Sequence, residues 1–187
     1  MENSTTGLAK IEIASIELDY MRYLAAYVGS SPRRVKRLVN VYRLIKAGLS
    51  ATQLSTFVTE RSSDDSARSG PYQIVIGLLV IGTGASARSG QILNELAQCD
   101  PGEKIDKLVE RLRDHNHPEW TMAAQVVEAL MRSQKPINVA ELRGWARKVG
   151  RFLLSGPEGD RGVRTGPIRM PGTDVPSNGA YQTKDIG

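Results

Sequence analysis

The sixteen residues from Ser31 to Lys46 hold six basic side chains and no acid. Ser31 can cap the first turn with its hydroxyl, Pro32 falls at the first helical position, where no amide hydrogen is needed, and Gly48 can close the last turn. Both ends of a helix are therefore written into the stretch. At about 100° per residue, Val35, Leu38, Val39, Tyr42, Ile45 and Leu49 fall on one face, and Arg33, Lys36, Arg37, Asn40 and Arg43 gather on the opposite one. A helix divided in this way has to lie on a core with its charge outward, so the rest of the chain must supply apolar helical faces to cover it.

The basic cluster sits at the helix N-terminus, where the macrodipole favours anions and unsatisfied amides point outward. The two positive sources reinforce each other, and an anion is expected there. The competing reading is a solvated basic face that keeps a surface helix soluble. That reading is weakened because no interleaved Glu or Asp neutralises the run through pairs three or four residues apart. Glu12, Glu17 and Asp19, just upstream, are the acids able to neutralise part of the cluster.

The string SPRRVKRLVNVYRLIKAGL resembles the SPRR-x-KR-x-x-N-x-YRL signature in the C-terminal part of the KAP family of P-loop NTPases. It joins a helix start, spaced basic positions, an Asn and an aromatic in one element. The likeness extends upstream from Gly29 to Ile16 and, more faintly, to the segment from Glu141 to Phe152. The resemblance implies a helical region that follows a nucleotide-binding core, packs over the bound nucleotide and places positive side chains near its terminal phosphate. Carried onto this sequence, the phosphate-sensing candidates are Arg33, Arg34, Lys36, Arg37 and Arg43, with Asn40 as an orienting group. Helical geometry sets Arg34 off the main basic face, where it can instead pair with an acid of the preceding helix. ATP and magnesium are implied only for the full family architecture, and the implied partner is the missing P-loop core, on the same polypeptide or a separate chain.

The chain itself lacks that core. A phosphate loop needs backbone amides wrapping the phosphates, a Lys reaching the outer ones and a Ser or Thr for magnesium. The nearest imitation, Ile81-Gly82-Thr83-Gly84-Ala85-Ser86-Ala87-Arg88-Ser89-Gly90, has no lysine and reads as a turn between helices. No apolar run ending in paired acids suggests a second nucleotide motif. By itself the chain is expected neither to bind ATP tightly nor to hydrolyse it, and it carries no cofactor of its own.

Other chemistry is thinly represented. His115, His117 and Asp114 offer an H-x-H without a third ligand at a fixed spacing, so they read as a helix end, not a metal site. Cys99 has no nearby base and reads as a small, partly buried residue. No catalytic residue is assigned. Trp120 and Trp145 read as core. Nucleic acid is the alternative partner for the basic helix, with Asn40 as a base-edge candidate, although the aromatic side chain of that helix lies on the core face, where it cannot stack on bases. A plain interaction domain without catalysis is a third reading.

At 187 residues the chain fits one domain of ordinary size with appendages. A palette of 40% hydrophobic but 5% aromatic residues suits packed helices, and a net charge of +5 suits anionic partners, nucleic acid and anionic surfaces included. The single cysteine excludes an internal disulfide, and no signal segment is visible, which reads as cytoplasmic. A membrane-peripheral position would follow only from membrane helices inserted in a parent protein. The most apolar run, Ile74 to Ile81, contains Gly77 and falls short of the roughly 20 residues that span a bilayer, so no span is expected.

Helical periodicity predicts helices over Ser15–Val28, the basic stretch, Tyr72–Thr83, Ser86–Gln98, Glu103–His115, Pro118–Met131 and Val139–Leu154. The last is capped by Asn138 with Glu141 three residues on, and buries Leu142, Trp145, Val149, Phe152 and Leu153. Ala51–Glu60 reads as a helical turn or two and Arg61–Gly70 as a loop. Tyr72–Thr83 is too uniformly apolar for periodicity to separate helix from strand. It is read as a buried helix, because no neighbouring strand exists to pair with it. The expectation is an all-α, irregular helical bundle of about six to seven helices. Its parts are a flexible N-terminus over 1–14, a helical domain over 15–154 and a disordered Gly/Pro-rich tail over 155–187. Within the helical domain, 15–49 is a basic helical hairpin and 71–154 a helical bundle.

Overall fold

The computed structural model describes residues 12–58, 60–61, 68–85, 87–132 and 137–154. In chain order they form α1 (Ser15–Tyr23), α2 (Ala25–Val28), α3 (Pro32–Ala47), α4 (Ala51–Val58), a short ladder of β1 (Glu60–Arg61) with β2 (Arg68–Ser69), α5 (Pro71–Gly84), α6 (Ser89–Gln98), α7 (Ile105–Asp114), α8 (Pro118–Met131) and α9 (Val139–Leu154). The fold is all-α, with nine helices among the described residues. The ladder is a two-residue antiparallel pairing, Glu60 opposite Ser69 and Arg61 opposite Arg68, which closes the ends of the segment read as a loop.

Helix α5 is the centre of the packing. Every residue from Tyr72 to Ile81 is buried, as expected of a helix that is apolar all round. Pro71 opens it, and α3, α6, α8 and α9 pack on it, together with the shorter α1, α2 and α4. Its glycines let neighbours come close. A Cβ at Gly84 would stand 2.5 Å from the Tyr27 carbonyl oxygen, and one at Gly82 would stand 2.2 Å from Leu153 Cδ1. The remaining helices follow their apolar stripes, and Asn138 caps α9 as its sequence predicts, its Oδ1 accepting from the Glu141 amide at 2.7 Å.

Several expectations are corrected. The helix expected over Ser15–Val28 is broken at Leu24, whose backbone leaves helical geometry while its side chain is fully buried. That break, together with α4, the helical turn or two expected over Ala51–Glu60, brings the described helices to nine where about six to seven were expected. Helices α1 and α3 meet through Glu17, Tyr42 and Lys46, and both also lie against α5. On α3, Val35 is 46% exposed, and on α9, Phe152 is 45% exposed, so neither belongs to the core face. Val35 sits in the first turn of α3 and Phe152 in the last turn of α9. Within the segment 1–14, expected to be flexible, the Glu12 carbonyl accepts from Lys46 and the Ala14 amide donates to Glu17. The expectations for 1–11 and for the tail over 155–187 lie outside the described residues.

Among the described residues, no helix is long and apolar enough to cross a membrane.

Candidate anion site

The N-terminal turn of α3 does not face open solvent alone. Ser31, Arg33, Arg34 and Arg37 line one side of a cavity of about 250 Å³, and Gly82 and Thr83 of α5, Ser89 of α6 and Leu153 of α9 line the rest. Four helices therefore converge on it. Two of them, α3 and α6, contribute their N-terminal ends, and the other two, α5 and α9, contribute their C-terminal ends, so the helix dipoles offset one another and the positive charge of the site comes from the arginines. Among the described residues that line the cavity there is no Asp or Glu.

Each wall has a local reason. Ser31 stands at the cap position of α3, yet its hydroxyl makes no cap bond, and it lines the cavity instead. Gly29 turns the chain with φ 78°, and a Cβ there would lie 3.8 Å from Arg34 Nη1, so the Arg34 side chain runs back along this turn. Thr83 Oγ1 donates to the Leu79 carbonyl at 2.7 Å, so its proton is used inside α5. Arg37 Nη2 donates to the Leu153 carbonyl at 3.3 Å, tying α3 to the end of α9.

The structure divides the candidates of the basic helix. Arg33, Arg34 and Arg37 meet in the cavity. Lys36, Asn40 and Arg43 are exposed and do not line it. Lys46 belongs to a different place: it is buried, and its Nζ lies 2.7 Å from Glu17 Oε2. The same carboxylate accepts from the Tyr42 hydroxyl through Oε1. Burial, then the neighbouring Glu17 charge, pushes the Tyr42 phenol far above its ordinary range.

Glu17 is thus committed to Lys46 and Tyr42, and Asp19 pairs with Arg22 at 2.9 Å. Neither is among the described residues lining the arginine cavity, and of the acids able to neutralise part of the basic helix, Glu17 does so at Lys46. Sequence reasoning missed Gly82, Thr83, Ser89 and Leu153 as partners of the arginines. The signal was the stretch from Ile81 to Gly90, which is the turn between α5 and α6 and also the far wall of the cavity.

The other groups keep structural roles. His117 caps α8, its Nδ1 accepting from the Glu119 amide at 3.3 Å, and His115 stacks on Trp120 with ring centroids 3.7 Å apart. Among the described residues, no group of three or more His, Cys, Asp or Glu could hold a metal. Cys99 is buried, its Sγ donating to the Leu96 carbonyl at 3.0 Å, and burial pushes its thiol up, away from the thiolate form a nucleophile needs. Trp120 is core as expected, whereas Trp145 is half-buried against Phe57 with Lys148 over its ring. A wider depression of about 380 Å³ at the start of α8 is lined by Asn116, His117, Pro118, Thr121, Met122 and Gln125, with no Arg or Lys.

No protein-family model, curated protein or solved structure matches the chain.

Proposed function

We propose that this chain is an anion-binding helical domain of the kind that follows the core of a KAP-type P-loop NTPase, and that its arginine cavity receives the phosphate end of a nucleotide held by that core. The observation that carries this reading is the meeting of Arg33, Arg34 and Arg37 in one concavity. Guanidinium groups suit the role because each presents a planar fork of donors matched to phosphate oxygens.

The fit extends to the phosphate end only. The described lining offers no aromatic for a base and no acid for magnesium, so ATP and its metal belong to the core. The chain by itself then binds inorganic polyphosphate weakly and hydrolyses nothing. A thermal-shift series with inorganic pyrophosphate and with ATP, run beside a phosphate-release assay, tests this. Stabilisation by both anions to a similar extent, without release, is expected. Hydrolysis by the isolated chain, or stabilisation by neither anion, would contradict the reading.

A second reading follows from Lys36 and Arg43, which remain exposed on the outer side of α3 beside Asn40. Such a strip can meet the phosphodiesters of a nucleic acid, and its affinity would fall steeply with salt. Tyr42 is fully buried and offers no stacking surface, which leaves backbone contact as the basis of that mode.

A further inference from the structure

We infer that Arg37 couples occupancy of the cavity to the last turn of α9, so that an anion bound among the arginines releases the end of that helix. The inference rests on the reading of the cavity as an anion site.

The carbonyls in the last turn of a helix lack amide partners within it. Leu153 is the penultimate residue of α9, and its carbonyl accepts from Arg37 Nη2 across 116 residues of chain. A basic side chain at a helix C-terminus satisfies an orphan carbonyl and faces the negative end of the macrodipole, so Arg37 acts as the cap of α9. Leu153 also places Cδ1 in the notch left by Gly82, and both residues line the cavity. The cap, the notch and the anion site are therefore one place.

An anion in the cavity acts on this cap in two ways with the same sign. A phosphate oxygen carries negative charge and can accept from both arms of the guanidinium fork, which the neutral Leu153 carbonyl cannot, so the anion draws the Arg37 donors away from Leu153. Its negative charge also lies beside the negative end of α9, which it repels. The last turn loses its cap and frays, and Leu153 withdraws from the Gly82 notch.

Amide hydrogen exchange on the full chain tests the coupling. Saturating inorganic pyrophosphate, with binding checked by calorimetry on the same sample, should speed exchange of the amides at Phe152, Leu153 and Leu154 by roughly three- to tenfold, the size expected for loss of one such hydrogen bond. Arg37→Ala, and Arg37→Met, which keeps an apolar stem, should show the fast exchange already without anion and change little on its addition. Slow exchange of that turn in both variants, or exchange that is unchanged or slowed when pyrophosphate is bound, would overturn the inference. Failure of pyrophosphate to bind at all would instead remove the anion site, and the coupling with it.

Discussion

Lys46 Nζ and Glu17 Oε2 stand 2.7 Å apart with both side chains withdrawn from solvent. The pair is completed on every side. Glu17 Oε2 accepts from the Ala14 amide at 2.6 Å, Glu17 Oε1 from the Tyr42 hydroxyl, and Lys46 donates also to the Glu12 carbonyl at 2.6 Å. Buried charge is tolerated only when paired and hydrogen-bonded. This node therefore fixes the start of α1 on the last turn of the basic helix, at the end opposite the arginine cavity.

Breaking one side of the node leaves the other charge buried and alone. Glu17→Ala or Lys46→Ala should each lower unfolding free energy by about 3–5 kcal/mol in urea denaturation. The double variant Glu17→Ala with Lys46→Ala should lose clearly less than the two single losses added together, because it leaves no uncompensated charge. Strict additivity would show that the pair does not act as a unit.

The node also sets an alkaline limit. The Tyr42 phenol is raised by burial and by Glu17, and Tyr20 is raised by burial and by Tyr23 and Tyr72. For a group raised in the folded state, the unfolded chain loses its proton first as pH rises. The contribution is therefore complete below the unfolded phenol value of about 10 and declines above it. Stability measured by urea denaturation should fall from about pH 10 upward. Tyr42→Phe should lower stability at neutral pH, since Glu17 loses a donor, and should flatten the alkaline decline without abolishing it, since Tyr20 remains.

Glycines in α5 give a separate test. Replacing a helical glycine by alanine ordinarily gains up to about 1 kcal/mol in propensity. At Gly84 the added Cβ would stand 2.5 Å from the backbone oxygen of Tyr27, which cannot turn aside, so Gly84→Ala should destabilise by about 1–3 kcal/mol. At Gly77 the obstacle is the Leu130 side chain at 3.0 Å, which can shift, and Gly77→Ala should cost less. Thermal unfolding of both variants checks the order.

How far the sequence led is clear from individual residues. Tyr72–Thr83 is legible as a buried helix because no other segment offers a strand to pair with it, and Asn138 with Glu141 marks the start of α9 correctly. The basic helix is legible to within a residue. Lys46 is not, because a lysine at the end of a basic run has the signature of a surface residue, and only the arrival of Glu17 from another helix makes it a core one. Val35 and Phe152 satisfy the apolar period but are 46% and 45% exposed, although Leu153, next to Phe152, is buried. For the cavity, periodicity placed Arg33 and Arg37 on one face and set Arg34 aside. The Gly29 turn and the far wall from Gly82 to Ser89 depend on how α3, α5, α6 and α9 meet, which no local pattern encodes.

Under the proposed function, the geometry of the cavity and not net charge makes the anion site. Two double variants separate the two. Arg33→Ala with Arg34→Ala removes two positive charges from the cavity, and Lys36→Ala with Arg43→Ala removes two from the exposed side of the same helix. Calorimetric titration of each with inorganic pyrophosphate at about 0.15 M salt, where distant charges are largely screened, should show at least about a tenfold loss of affinity for the first, the equivalent of one good charge-assisted contact. It should show little change for the second. Equal losses in the two variants would mean that pyrophosphate responds to the overall field of the helix, and would contradict the cavity as the site.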